Sequence, residues 1–298
     1  MSSAAPPQQR KVRDALHFPP ADAAALEPYL PPPPSSSSSP SSTSPHRRPR
    51  RPFVTLTFAT SLDSALSLAP GTQTALSGPA SKAMTHHLRS RHAAILVGAG
   101  TAVADDPSLN CRIAGVGGYG GSADDGPLRG QPRPVVVDPR GRWDWGGEGH
   151  KPLAKVLRLA GEGRGRAPWV VVAEGEEVGG ERRKVLEGCG GRVLEVRTGE
   201  DGRMEWGDVL GVLAGEGIES VMIEGGAGVI NKLLEPQNVG LVDSVIVTIA
   251  PTWLGQGGVV VSPPRRVDEE GRPVTAARLK EVKWCPLGED VVLCGRLQ

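Results

Sequence analysis

The sequence is poor in aromatic residues, 4% in all, and has only four cysteines among its 298 residues. Cys111, Cys189, Cys285 and Cys294 form no C-x-x-C pair and stand at no zinc-ligand spacing from a histidine. That pattern excludes a disulfide scaffold and a zinc ribbon and leaves reduced structural thiols. His86, His87 and His92 lie close together, but their spacing matches no zinc motif, so no metal is expected. No run approaches the ~18 apolar residues of a membrane-spanning helix, and the amino end has no apolar signal core. Asp14, Asp22 and Glu27 speak against a transit peptide. The net charge of +1 gives no global field for nucleic acid or a membrane surface. The basic run His46-Arg47-Arg48-Pro49-Arg50-Arg51 reads as a solvated tail rather than a nucleic-acid arm or nuclear signal. A soluble cytoplasmic protein is expected.

Glycine, at 40 residues, and proline, at 28, are abundant. Residues 1–50 carry PPPPSSSSSP and SSTSPHRRPRRP with almost no apolar periodicity, and are expected to be a disordered extension. The folded domain is then 51–298, with glycine-rich surface insertions near 113–133 and 141–167.

Within that domain apolar runs of strand length alternate with helical patterns. PFVTLTFAT (52–60), AAILVG (93–98), PRPVVVDP (132–139), APWVVVAEG (167–175), RVLEV (192–196), IESVMIEGG (218–226), VDSVIVTIAP (242–251) and EDVVLCGRL (289–297) read as strands. Helices are predicted over 79–92, 181–191, 204–217 and 227–236, the first opened by Pro79 and the last broken by Pro236. Continuous apolar strands between helices predict an α/β domain with a largely parallel sheet covered on both faces. Ligands in such sheets bind outside the carboxyl ends of the strands, which directs attention to Gly98–Asp106, Asp138–Gly141 and Glu224–Gly228.

Gly98-Ala99-Gly100-Thr101 is not a dinucleotide fingerprint, because Val103 stands where G-x-G-x-x-G needs its third glycine. Asp105 and Asp106 follow it, and two carboxylates would repel a phosphate. Gly225-Gly226-Ala227-Gly228, between an apolar strand and a helix, suits an anion better, with close helix–strand packing as the plain alternative. Arg89 and Arg112 could grip a phosphate with their planar forks, or lie at the surface.

SLD (61–63), THHLRSRHAAILVGAGTAVADDPSLNCR (85–112), RPVVVDPRGR (133–142), VMIEGGAGVINKLL (222–234) and VDSVIVTIAPTWLGQGG (242–258) occur in one order. Together they resemble the riboflavin-pathway reductase family, which comprises stand-alone fungal and archaeal reductases and the C-terminal domain of the bacterial bifunctional deaminase/reductase. The likeness covers about 51–298, and the zinc-deaminase signature is missing, as in the stand-alone members. It implies a dihydrofolate-reductase-like three-layer fold with a mostly parallel central sheet, and a homodimer. It also implies NADPH-dependent reduction of 2,5-diamino-6-ribosylamino-4(3H)-pyrimidinone 5′-phosphate to its ribitylamino form, by hydride transfer to ribose C1′.

Carried over position by position, the resemblance gives Thr101, Asp105, Gly225, Gly226, Ala227, Gly228 and Val229 as cofactor contacts, with Val171 or Val172 lining the cofactor. Arg89, Leu109, Arg112 and Glu224 fall on the substrate side, the arginines toward the 5′-phosphate. Asp63 is the candidate proton donor for ring opening at O4′, with a capping carboxylate as its alternative. Ser64 and Ala65 depart from the family's usual SLDGKI, which leaves open a non-catalytic nucleotide-binding homologue. A reductase of another phosphorylated heterocycle is the other alternative.

Overall fold

A computed structural model describes residues 14–32, 51–122, 126–147 and 152–297. In chain order its elements begin with α1 (Pro20–Leu26), β1 (Phe53–Thr60), β2 (Ala65–Ser67), α2 (Pro79–Arg91), β3 (Ala94–Gly98) and α3 (Ala99–Asp105). Next come β4 (Arg133–Val137), α4 (Lys155–Gly161), β5 (Trp169–Ala173), α5 (Gly180–Gly188), β6 (Arg192–Val196) and α6 (Trp206–Gly215). The chain closes with β7 (Ser220–Gly225), α7 (Ala227–Leu233), β8 (Ser244–Ile249), β9 (Val259–Val260), β10 (Leu279–Leu287) and β11 (Asp290–Leu297).

Nine strands form one sheet in the order β10-β11-β8-β1-β7-β3-β4-β5-β6. The pairs from β8 through β6 are parallel. Only β11 runs against the others, so its pairings with β8 and with the edge strand β10 are antiparallel. Alternation along the strands explains the layering. Leu96, Val135, Val171 and Ile223 face one side, where Val209, Leu210 and Leu213 of α6 and Ile230 and Leu233 of α7 cover them. Ile95, Val136, Val170 and Val172 face the other, under Leu157 of α4 and Leu186 of α5. Because both faces are covered, the strands need no polar side: all five residues of β3 are buried.

Two expectations about glycine- and proline-rich chain change. Residues 14–32 are not a disordered tail: Phe18, Leu26, Tyr29 and Leu30 are buried with Met84 and Leu88 of α2 and Val292 and Cys294 of β11. Few apolar residues suffice because each is an anchor, contributing about 1.5–3 kcal/mol when fully buried. The segment is also tied by its backbone, with Leu16 N–H donating to Arg112 O and Ala114 N–H to Leu16 O. Residues 1–13 and 33–50, which hold the proline and serine runs, lie outside the described residues.

The stretches 113–133 and 141–167 are not surface additions either. Tyr119, Trp143 and Trp145 are buried, and α4 adds Val156 and Leu157 to the core. Trp143 and Trp145 pack edge to face, 5.6 Å apart. Residues 123–125 and 148–151 of those stretches lie outside the described residues. Glycines there mark turns between buried aromatics.

Candidate ligand cleft

β3 and β7 are hydrogen-bonded neighbours, so the glycine turns that end them lie side by side. Gly98 caps α3 and Gly226 caps α7. A Cβ on Gly98 would sit 3.0 Å from Val229 Cγ2, and one on Gly226 would sit 2.9 Å from Thr101 Oγ1. At Gly225, with φ of +104°, a Cβ would meet Ile230 Cδ1 at 2.7 Å. Glycine is therefore required at these positions by close approach, and the two turns form one surface.

That surface is the floor of a cavity of about 1010 Å³ over the carboxyl ends of the parallel strands. Thr101, Asp105, Glu224, Gly226, Ala227, Gly228 and Val229 all line it, so one cleft gathers most of the predicted site. Val229 N–H is already used by Gly226 O, whereas the N–H groups of Ala227 and Gly228, in the first turn of α7, have no partner within the helix. The cleft's fit for a nucleotide rests on this floor, where backbone replaces side chains and an anionic group can come close.

The two aspartates after Thr101 part company. Asp105 faces the cleft, and burial pushes its carboxyl up from the ordinary range. Asp106 turns away in the left-handed region, φ 38°, and its Oδ1 accepts from Lys155 N–H at 2.8 Å.

Glu224, at the end of β7, is held by Arg89 of α2. Arg89 Nε donates to Oε1 and Nη2 to Oε2, each at 2.7 Å, and Nη1 donates to Asn110 O at 3.0 Å. Burial opposes the charge on Arg89, but the facing Glu224 carboxylate more than offsets it and raises its pKa. Arg89 therefore positions Glu224, with most of its fork committed there, which differs from the expected free phosphate grip.

Other expected residues lie apart from the cleft. Leu109 is buried in the core beneath α4. Val172 points into that same core, across the sheet from the cleft, while Val171 faces the cleft's side with Val137. Arg112 sits on the loop after Cys111, and its side chain donates to Asp14 O at 3.4 Å. Arg112, Arg89 and Lys82 all bear on buried His86, where burial first and these cations second lower the imidazole to about 2.

Asp63 accepts from Ser61 Oγ at 2.5 Å, Leu254 N–H at 3.1 Å and Gly255 N–H at 2.7 Å. The Ser61 bond, with the two backbone bonds, lowers its carboxyl to about 2. These three bonds are the ones a capping carboxylate makes, which was the alternative reading of Asp63. Ser64 next to it takes φ of 62°, and Ala65 is buried and pairs with Val260 in the β2–β9 ribbon. A long basic side chain would have no room at Ala65.

Sequence reasoning missed Phe58 and Ala59 of β1, Trp206 of α6, and Arg140 and Arg142 after β4, all of which line the cleft. The legible signal was PRGR directly after an apolar strand, at a strand end already marked for attention. Among the described residues no group of three or more His, Cys, Asp or Glu could hold a metal ion, and no helix is long and apolar enough to cross a membrane.

A mostly parallel, doubly covered sheet with glycine turns framing a cleft at its carboxyl edge defines an α/β ligand-binding domain. Residues 52–293 match the family model described as RibD C-terminal domain, and the chain belongs to that family. It is 40% identical over 278 residues to the 2,5-diamino-6-ribosylamino-4(3H)-pyrimidinone 5′-phosphate reductase of Eremothecium gossypii, covering 92% of this chain and 96% of that one. The Saccharomyces cerevisiae protein of the same name is 38% identical over 247 residues, covering 83% and 87%. Among solved structures, the Saccharomyces riboflavin biosynthesis reductase superposes with a TM-score of 0.66 at 32% identity, covering 92% of this chain and 98% of that one. Acinetobacter baumannii RibD gives 0.61 at 25% identity, covering 83% of this chain and 58% of that one. The dihydrofolate-reductase-like architecture expected from the sequence is the one the chain adopts.

Proposed function

We propose that the protein is an NADPH-dependent reductase of 2,5-diamino-6-ribosylamino-4(3H)-pyrimidinone 5′-phosphate, acting in riboflavin biosynthesis. The observation that carries this reading is the single floor made by Gly98, Thr101, Gly226 and Gly228, with Gly225 buried beneath it and a cleft large enough for a dinucleotide above it. A nicotinamide cofactor held there would supply a hydride to ribose C1′ as the C1′–O4′ bond opens, with O4′ taking its proton from solvent and the oxidised nicotinamide left behind.

The chain's own residues bind and orient. Ala227 and Gly228 offer first-turn N–H groups to the cofactor's phosphates. Thr101 and Asp105 accept or donate to its uncharged parts. Glu224, fixed by Arg89, presents a carboxylate edge at the mouth of β7 to the substrate. For the 5′-phosphate the family resemblance offers Arg112, which stands outside the cleft lining on the loop after Cys111 and would have to reach the substrate from there. Asp63 holds the turn at Leu254 and Gly255 and takes no part in proton transfer. Rate then comes from placing donor and acceptor carbons in contact and keeping water out, rather than from a dedicated acid.

We further propose a homodimer, which the open outer edge of β10 supports: Val282 and Trp284 are exposed there on an otherwise continuous sheet. A cytoplasmic setting accords with four free cysteines, two of them buried. The test is loss of NADPH absorbance on adding the ribosylamino substrate. Rapid loss dependent on both is expected, and Arg112→Ala should raise KM with little change in kcat. Stable NADPH with the intact protein and substrate would overturn the reading.

A further inference from the structure

Residues 106–112 link α3 to the stretch 113–133 and belong to no helix or strand. Asn110 and Cys111 are nevertheless buried, and Leu109, in the core, takes φ of 47°. A buried irregular segment has no ladder to satisfy its backbone, so each polar group needs a dedicated partner. Here every group from Asn110 O to Arg112 O has one. Asn110 O accepts from Arg89 Nη1 at 3.0 Å. Cys111 N–H donates to Gln131 Oε1 at 2.8 Å, and Cys111 O accepts from Gln131 Nε2 at 2.7 Å. Arg112 N–H donates to His86 Nδ1 at 3.1 Å, and Arg112 O accepts from Leu16 N–H at 2.7 Å.

Gln131 stands in for a neighbouring strand. Its amide meets both polar groups of Cys111 and donates again to Gly117 O at 2.7 Å, while its own carbonyl accepts from Arg166 Nε at 2.9 Å. His86 grips the same arm twice, its Nδ1 at Arg112 N–H and its carbonyl at Cys111 Sγ, 3.1 Å away. A backbone N–H can only donate, so Nδ1 is the bare nitrogen of a neutral ring. Burial first, and then Arg89, Arg112 and Lys82, keep the ring neutral by lowering it to about 2. Of Asn110, Cys111 and Arg112, only Arg112 is not buried, and its guanidinium meets Asp14 O at the long distance of 3.4 Å. A fixed stretch of backbone thus carries one loosely held cation. The arm is also referenced to the cleft, because Arg89, bonded to Asn110 O, is the residue that grips Glu224.

We propose that Gln131 and His86 are positioning residues, which fix the backbone of Asn110–Arg112 so that the Arg112 guanidinium meets the substrate's phosphate from one place. The inference rests on the proposed reductase reading and its assignment of Arg112 to the 5′-phosphate. Arg112 lies outside the cleft lining, so the placing of its backbone decides whether the guanidinium reaches the anion. Misplacement by about 1 Å is enough to break a bidentate contact. Neither Gln131 nor His86 lines the cleft, so their effect on the reaction passes through the arm.

The test is steady-state kinetics on the full chain and on Q131M, H86L, H86N, R112A, Q131M/R112A and H86L/R112A, with NADPH titration of each. Methionine keeps the length of Gln131 without its hydrogen bonds, and asparagine can set an oxygen where Nδ1 stood. Q131M and H86L should each raise KM for the phosphorylated substrate about tenfold, with kcat and NADPH affinity within about twofold of the intact protein. H86N should recover most of the H86L loss. Neither Q131M nor H86L should add to R112A, because the guanidinium they misplace is already gone. Should Q131M fail to fold, H86L and H86L/R112A carry the same comparison. A merely structural role would weaken both backgrounds alike. That additivity, or no rescue by H86N, overturns the proposal and leaves the reductase reading intact. An unchanged KM in an R112A enzyme that turns over removes the phosphate role of Arg112 and the proposal with it. No turnover by the intact protein overturns the reading as well.

Discussion

Arg89 and Glu224 face each other in a bidentate pair, Nε to Oε1 and Nη2 to Oε2, each 2.7 Å long. The pair joins α2 to the end of β7, so a helix on one layer fixes a carboxylate at the cleft floor. Both side chains are less than one-fifth exposed, which makes removal of one partner costly. Arg89→Met should destabilise the fold by about 3 kcal/mol, read from urea unfolding. Glu224→Gln keeps a polar partner and should cost less stability while lowering activity more. A double-mutant cycle giving zero coupling would contradict the positioning role.

Gly226 and Thr101 define the second expectation. Gly226→Ala puts a methyl 2.9 Å from Thr101 Oγ1, and the short branched side chain has little freedom to move away. Cofactor affinity should fall at least about tenfold, roughly the 1.4 kcal/mol that a local steric adjustment costs. Adding Thr101→Ala should restore part of it, as dinucleotide titration would register. No rescue would mean that the turns are not coupled through this contact.

The strands and helices of the domain were legible because their patterns are long and consistent. AILVG and WVVVA have no polar face to confuse them, and Pro79 and Pro236 punctuate α2 and α7. Three kinds of feature were hidden. In β10 the alternation is masked by Lys280, Glu281, Lys283 and Pro286, as befits an exposed edge. The amino-terminal anchors Phe18, Leu26 and Tyr29 are too sparse to show periodicity, and only the tertiary structure reveals what they cover. The part of the cleft floor that was legible is where glycine and strand end coincide, at Thr101 and 226–229. Leu109 and Val172, which the resemblance put at the ligands, lie in the core on the opposite face of the sheet from the cleft.

Acid should act in two stages. His92 is buried between β1 and α2; its Nδ1–H donates to Leu88 O at 2.7 Å and its Nε2 accepts from Thr55 Oγ1 at 2.8 Å. Burial lowers it to about 4 from an ordinary 6.5. The unfolded chain therefore binds a proton that the folded one refuses, and stability, full above pH 6.5, should fall as pH drops, the His92 part down to about 4 and the part from His86, lowered by burial to about 2, further still. Asp63, lowered to about 2 from 3.8 by its hydrogen bonds, contributes above pH 3.8 and loses that contribution as pH falls through 2. Unfolding free energies measured across pH should show the first decline flattened in His92→Gln and the second in Asp63→Asn.

Ser64 occupies a glycine's conformation, with φ of 62° fixed by Ser64 N–H to Ser61 O and Val261 N–H to Ser64 O. A left-handed backbone costs a non-glycine residue about 1 kcal/mol. Ser64→Gly should raise stability by up to that amount and leave turnover unchanged, because the same turn persists. A loss of activity would mean that the Ser64 side chain does more than fill the turn.

The central claim is that one cleft brings a nicotinamide cofactor to the ribosylamino carbon of a phosphorylated pyrimidine. The direct measurement is mass spectrometry of the product formed from NADPH deuterated at the transferred C4 position. The account predicts a ribitylamino product carrying one deuterium at C1′, formed at the rate of NADPH loss. Cofactor consumption without deuterium at C1′, or no product from a protein that binds both ligands, would contradict it.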